Sequence, residues 1–207
     1  MSRFLLVALF VLLLPGVVLY FRPSSETLPV KGLVAIPQSS PPCPWRDATT
    51  DMTNWFPGAT SYYITDQILS GKRLELQQQL GRPLTADENG LHTYIVASNA
   101  TSVGTVLIRR VKAKNGALEV ALGLDPYDTI SHFKIQRIRE PQDIVENLES
   151  LKMEDQLRGK SVTSDFHSIR TASELPDSTI CASNIIEAVR ALLVLHNAGQ
   201  KNLPPHH

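Results

Sequence analysis

The stretch HTYIVASNATSVGTVLIRRVKAKNGALEVALGLDPYDTISHFKIQRIRE, residues 92–140, decides the fold. It is rich in Val, Ile, Leu and Thr, and its polar and apolar residues alternate, which is typical of strands with one buried face. Turn signals at Asn99, at Asn115-Gly116 and at DPYD (125–128) divide the stretch. We therefore predict an antiparallel meander, because short turns join neighbouring strands in that arrangement. The four predicted strands cover about 92–98, 102–112, 117–124 and 129–139.

Segments whose apolar residues predict helices lie on both sides of the meander. Before it, a series of apolar residues predicts one helix that ends at Gly81 and Pro83; they are Ile64, Ile68, Leu69, Leu74, Leu76 and Leu80. After it, a second helix is predicted to end at Gly159, on apolar residues at Ile144, Leu148, Leu151 and Leu157. The expected fold class is α+β, with a four-stranded antiparallel meander packed against helices.

The last predicted helix has one apolar face, and a group of hydroxyl residues precedes it. Its apolar positions are Ile185, Ile186, Val189, Leu192 and Leu193, with Ser183 or Asn184 as the expected N-cap. Because helix N-termini expose unpaired N–H groups, they stabilise phosphate without a basic side chain. Hydroxyls at Ser178, Thr179 and Ser183 therefore have two interpretations, as helix caps or as phosphate ligands.

The N-terminus has a different composition from the rest of the chain. An uninterrupted apolar run from Phe4 to Phe21 lies between Arg3 and Arg22, and its length is close to what a membrane-spanning helix needs. No small-residue cleavage pattern follows it, so we favour an uncleaved single-pass anchor at 1–22 over a cleaved signal peptide. The short leader favours placing the remaining polar chain on the extracytoplasmic side.

Composition sets the remaining boundaries. Residues 23–50 are rich in Pro and Ser and predict a tether, followed by one domain at 51–197 and a flexible tail at 198–207. The formal net charge is zero, so nothing indicates nucleic-acid binding. Cys43 and Cys181 lack the close spacing of a metal site, and outside the cytoplasm they could form a disulfide. No metal site and no nucleophile–base group is predicted.

The order of these elements resembles the FMN-binding domain family, found in extracytoplasmic subunits of ion-pumping respiratory complexes and in single-domain relatives. The segments that carry the resemblance are FPGATSYY (56–63), LG (80–81), TYIVAS (93–98), the run 102–141 and LRGKS (157–161). They precede a position at which family members carry a Ser-Gly-Ala-Thr-x-Ser-Ser turn before the final helix. The resemblance covers most of 55–195.

The resemblance implies FMN as cofactor, with the flavin phosphate held at this turn. Thr179 matches the Thr to which some members attach FMN covalently, and Ile180, Cys181 and Ser183 follow it. Ser178 replaces the family's Ala, while Pro176 and Asp177 replace its Ser and Gly. Because Asp177 would repel a phosphate and Pro176 lacks an N–H donor, we expect FMN to be non-covalent or absent rather than attached at Thr179.

Two further residues are candidates for a functional role. Glu140 lies where the family often has a Glu near the flavin, although an exposed residue at a strand end is the simpler interpretation. His132 lies in the fourth predicted strand, where a structural role is more common than a catalytic one. The resemblance therefore predicts a membrane-anchored, extracytoplasmic FMN-binding domain that exchanges electrons with redox partner proteins at the membrane. The alternative is a flavin-free binding or assembly module of the same fold.

Overall fold

The computed structural model describes residues 28–29, 48–99, 101–171 and 175–200. The predicted anchor at 1–22 lies outside these residues, as do most of the tether at 23–50 and the end of the tail. Within the described part the first helix begins at Thr49 and the last helix extends to Gln200.

Antiparallel strands in chain order form the sheet in the described part. The strands are β1 (Leu28–Pro29), β2 (Ser61–Ile68), β3 (Gly90–Ser98), β4 (Thr101–Lys112), β5 (Ala117–Leu124) and β6 (Ile130–Arg137). The meander is therefore confirmed, and two of its predicted turns contain residues in the left-handed region, Asn99 at φ 48° and Asp128 at φ 58°. Asn and Asp adopt this conformation more readily than other non-glycine residues.

The predicted count of four strands is wrong, because β2 is a fifth long strand in a segment predicted to be helical. Ile64 and Ile68 are four residues apart, which fits one face of a strand as well as one face of a helix. Tyr62, Tyr63 and Thr65 favour the strand, since aromatic and β-branched residues fit a pleated surface. The helix begins only after the strand and covers the second half of the predicted segment. The tether also contributes β1 at the sheet edge, where Pro29 is tolerated.

The described helices are α1 (Thr49–Trp55), α2 (Arg73–Leu80), α3 (Gln142–Ser150), α4 (Met153–Leu157) and α5 (Pro176–Gln200). The predicted second helix is thus divided into α3 and α4, with Lys152 at φ 46° between them. The predicted N-caps Ser183 and Asn184 are wrong, because α5 begins at Pro176. Proline suits the first helical position, where its missing N–H would have no partner, and Asp177 favours the positive end of the helix.

Helix α5 forms the centre of the main core. Most of its length is buried against β3, β4, α2 and α3, with Cys181, Ile185, Val189 and Leu192 at 1% exposure or less. By length and hydropathy α5 could also cross a membrane, but 67% of its most apolar 18-residue stretch is buried inside the fold. Such an apolar composition is also typical of a helix in the core of a protein.

A smaller cluster on the other side of the sheet holds α1 in place. Met52 and Phe56 pack there against Val96 and Val106. Gly104 permits this contact, since a Cβ at that position would lie 2.1 Å from the Phe56 ring. The buried carboxylate of Asp51 accepts hydrogen bonds from Lys134, at 2.9 Å, and from Gln136.

Candidate functional site

The hydroxyl residues expected to bind phosphate lie inside the first turns of α5. The Thr179 hydroxyl donates to the Leu175 carbonyl at 3.3 Å, and the Thr179 N–H donates to the same oxygen at 3.1 Å. One turn later, the Ser183 hydroxyl donates to the Thr179 carbonyl at 2.9 Å. Hydroxyls that bond to the preceding turn of their own helix are typical of Ser and Thr in helix interiors. These two donors are therefore used within the helix.

Their neighbours are divided between the core and solvent. Ser178 and Cys181 are fully buried, whereas Ile180 is 52% exposed. Burial raises the pKa of the Cys181 thiol, and the carboxylates of Glu140 and Asp177 act in the same direction although a bond to the Lys114 backbone opposes them. The thiol is thus protonated and unreactive at neutral pH. Cys43 lies outside the described residues, so the disulfide stays a prediction.

Glu140 supports the turn between β4 and β5. Its carboxylate accepts the Asn115 backbone N–H at 2.8 Å and the Asn115 side-chain amide at 2.7 Å. Lys114 in the same turn forms an ion pair with Asp177, and the Asn184 amide donates to the Lys112 carbonyl at 3.0 Å. The β4–β5 turn therefore contacts both Glu140 and the start of α5, and the contacts of the Glu140 carboxylate are structural.

The N-terminus of α5 already has a negative partner. Asp177 in its first turn compensates the positive end of the helix dipole, and Lys114 in turn pairs with Asp177. Pro176 contributes no N–H at this end. A phosphate dianion placed here would meet a carboxylate and would find fewer free donors than a glycine-containing turn provides.

A cleft of about 510 Å³ opens on the side of α5 beyond this start. Its walls are the N-terminal half of α5, the end of α2 and the loop 164–171. The lining residues are Leu80, Ser164, Asp165, Phe166, His167, Ile169, Thr171, Ser183, Ile186, Glu187 and Arg190. Ser183 is thus a predicted site residue that borders this cleft. The other lining residues were missed, because the loop has no periodic pattern and Glu187 and Arg190 look like the solvated face of a helix.

An ion-pair network holds the wall of the cleft. Arg190 donates to the carbonyls of Gln79 and Leu80 at 2.6 and 3.0 Å, at the C-terminal end of α2. Glu187 accepts a bond from Arg82 at 2.8 Å and also faces Arg190 at 3.5 Å. Glu187 and Arg190 therefore each have a partner of opposite charge or a carbonyl beside them. Asp165 also lines the cleft, and its carboxylate accepts the His167 N–H at 2.8 Å.

The anchor of this network is Glu88, which is completely buried. Arg82 donates two bonds of 2.8 Å to its carboxylate, Arg109 approaches to 2.8 Å, and the Thr85 N–H donates at 2.8 Å. Burial raises the pKa of Glu88, but the bonds from Arg82 and Thr85 and the charge of Arg109 lower it by more, to about 2. The hydrogen bonds from Arg82 to Glu88 and Glu187 raise the pKa of Arg82, although burial lowers it.

His132 has a structural environment. Its ring stacks on Trp55 with centroids 5.3 Å apart and planes at 4°, and the Phe56 ring lies edge-on to it with centroids 6.2 Å apart. Gly123 leaves room for the Trp55 ring, which would lie 2.9 Å from a Cβ. Burial lowers the pKa of His132, and Glu154, with an oxygen 3.9 Å from Nδ1, opposes that shift only partly.

Comparison with known proteins gives no relative. No protein-family model matches the chain, and neither a curated protein nor a solved structure matches it. Among the described residues, no group of three or more His, Cys, Asp or Glu side chains is arranged to hold a metal ion.

Proposed function

We propose that the protein is a membrane-tethered, extracytoplasmic binding module with the element order of an FMN-binding domain, and that it works without flavin phosphate at Thr179. The observation that carries the proposal is the state of the α5 start. The Thr179 hydroxyl bonds to Leu175, and Asp177 with its partner Lys114 occupies the end of the helix where the phosphate would lie.

The cleft beside α5 is the proposed contact site of the module. Leu80, Ile169 and Ile186 supply apolar surface, while Ser183 and Thr171 supply hydroxyl groups at the border. Apolar walls with a few polar groups are typical of binding sites in proteins. The charged pairs of the wall are already satisfied, so we expect a largely uncharged group of the partner to enter the cleft.

A second candidate function is non-covalent FMN binding with electron transfer to redox partners at the membrane. The observation that favours it is the position of Ser183, which belongs to the implied flavin turn and also lines the cleft. The cleft volume of about 510 Å³ accommodates a ligand of flavin size. In this case the flavin would perform the redox chemistry, and the protein would position it and tune its potential.

Titration of the full-length chain in lipid nanodiscs with FMN separates the two candidates. The binding-module proposal predicts no saturable quenching of flavin fluorescence. Saturable quenching that Ser183→Trp abolishes, and that the control Ser102→Trp leaves unchanged, would support the second candidate and overturn the first. Ser102 is an exposed serine at the start of β4, outside the cleft lining, so the same bulky change there tests for non-specific effects.

A further inference from the structure

Three polar side-chain atoms on β2 and β3 are buried without a hydrogen-bond partner among the described residues. They are the hydroxyl oxygens of Thr65 and Thr93 and the amide oxygen Oε1 of Gln67. Burying a polar group costs free energy unless the group is hydrogen-bonded, and buried polar atoms are nearly always bonded to protein or to ordered water. The three atoms therefore indicate a further hydrogen-bonding group at this place.

The pairing of β2 with β3 places the two threonines side by side. Thr65 and Thr93 are directly opposite each other in the antiparallel register, so their side chains lie on the same face of the sheet, with Cβ atoms about 5 Å apart. Gln67 follows Thr65 by two residues and therefore lies on the same face. Opposite threonines can bond to each other, but neither hydroxyl does so here.

Helix α5 covers this face of the sheet at Gln67. The Gln67 Oε1 lies against the helix at Gly199, only 1.5 Å from the place that a Cβ of that residue would take. Because Gly199 has no Cβ, the amide oxygen enters the space between the strand and the helix. The amide is thus held beside the two hydroxyls, since a diagonal neighbour on the next strand is within reach of a long side chain.

The other neighbours of the hydroxyls are apolar and cannot satisfy them. Leu91 and Ile95 lie two residues before and after Thr93, on the same face of β3, and both are buried. On β4, the fully buried Leu107 lies opposite Thr93. Thr93 itself is 1% exposed, so bulk solvent does not reach it.

The three atoms match the bonding capacity of one water molecule. The Gln67 oxygen can only accept a hydrogen bond, whereas each threonine hydroxyl can donate and accept. A water can donate to Gln67 and to one hydroxyl while it accepts from the other, and three bonds is the usual number for a buried water. None of the three side chains is charged, so the site has nothing to compensate the charge of an ion.

We propose that Thr65, Gln67 and Thr93 bind one buried water molecule, which links β2 and β3 beside the C-terminal end of α5. In the described part of the chain, β1 pairs only with Ser61 and Tyr62, so the rest of β2 is held mainly from the side of β3 and α5. The water adds a bond on that side. The inference is independent of the proposed function, because none of the three residues lines the cleft.

The first test replaces Thr93 by valine, which keeps the shape of the side chain and removes the hydroxyl. The water loses one of its three bonds in Thr93→Val, so we expect the urea midpoint of the full-length chain in lipid nanodiscs to fall. A hydroxyl without any partner would give the opposite sign, because its removal relieves the cost of burying it. A midpoint that rises or stays the same would overturn the proposal.

The matched control is Thr101→Val, the same change at an exposed threonine at the start of β4. We expect its urea midpoint to equal that of the unaltered chain. A fall as large as that of Thr93→Val would show that the effect does not come from the buried site, and would also overturn the proposal.

Diffraction from crystals of the unaltered full-length chain, grown in a lipidic phase, tests the proposal without depending on a variant. We expect one density peak about 2.5–3.0 Å from each of the three oxygens. Absence of a peak, or density too large for a single water, would overturn the assignment.

Discussion

Arg82 donates two hydrogen bonds to the buried carboxylate of Glu88, both 2.8 Å long. Arg82 also reaches Glu187 on α5, at 2.8 Å. The pair therefore connects the segment between α2 and β3 to the central helix, on the wall of the cleft. Two-point pairing between a guanidinium and a carboxylate fixes orientation as well as distance, so this contact holds the cleft wall in shape.

Replacing Glu88 tests the importance of this pair. Glu88→Gln leaves Arg82 and Arg109 without their shared buried partner, so we expect the free energy of unfolding to fall by about 3–5 kcal/mol. Asp87→Asn is the matched control, because Asp87 is exposed and its contact with Arg109 is longer, at 3.4 Å. The control should change stability by less than about 1 kcal/mol. Urea denaturation measures both, and equal effects would contradict the assigned role.

The low pKa of Glu88 makes stability depend on acidity. Its pKa is about 2 in the fold against an ordinary value of 4.5, so the unfolded chain binds the proton more readily in that window. Stability from this group is fully present above pH 4.5 and is lost as the pH falls towards 2. Denaturation series across this range should show a smaller loss in Glu88→Gln than in the unaltered protein. Parallel profiles in the two proteins would refute the assignment.

Protonation of His132 should make the stability of the fold depend on pH over a second range, below pH 6.5. Burial holds its pKa below the ordinary 6.5, so the folded state resists protonation more than the unfolded state does. Stability from this site is therefore complete above pH 6.5 and decreases as the pH falls below that value. His132→Phe keeps a ring beside Trp55 and removes the proton, so we expect its stability to vary less with pH between 6.5 and 5. Thermal unfolding monitored by tryptophan fluorescence provides the comparison.

The close approach of Phe56 to Gly104 predicts that position 104 does not accept a residue with a Cβ. In Gly104→Ala the new Cβ would lie 2.1 Å from the Phe56 ring and 2.7 Å from the Leu124 carbonyl, which belongs to the backbone. Overpacking of this kind costs about 1–3 kcal/mol. Gly58→Ala has no heavy atom within 4 Å of the new Cβ and serves as the control. A similar melting temperature in both variants would argue against the packing of α1 on the sheet.

Thr179→Ala should change the stability of the fold very little. The variant loses the bond to the Leu175 carbonyl, but alanine is the better helix former, so the two effects offset each other. We expect the free energy of unfolding to change by less than about 1 kcal/mol. Chemical denaturation measures the change, and a large destabilisation would show that the Thr179 hydroxyl has a role beyond the helix.

Much of the fold could be predicted because short turns and strict alternation are local signals. Asn99, Asn115-Gly116 and DPYD (125–128) mark the turns of the meander correctly. The segment 61–68 was misassigned, because Ile64 and Ile68 satisfy two periods at once and only packing against β3 selects the strand. The start of α5 was placed too late, because the hydroxyl residues that usually cap a helix lie here inside it.

The site was less predictable than the fold. The resemblance points to Ser183, which also borders the cleft, but the sequence carries no sign of the loop 164–171 that forms the opposite wall. Glu88 was also missed, because a buried glutamate paired with Arg82 looks like any surface glutamate in the sequence. Its burial depends on tertiary packing that brings Arg109 from β4 beside it.

The most direct test of the central claim is the visible absorption spectrum of the full-length chain, produced together with a flavin transferase and recorded before and after acid precipitation. We predict a colourless protein in both measurements, because Asp177 in the first turn of α5 disfavours a phosphate there and the Thr179 hydroxyl is bonded to the Leu175 carbonyl. A yellow pellet that becomes colourless in Thr179→Ala would contradict the account, since it would place covalent FMN at that hydroxyl.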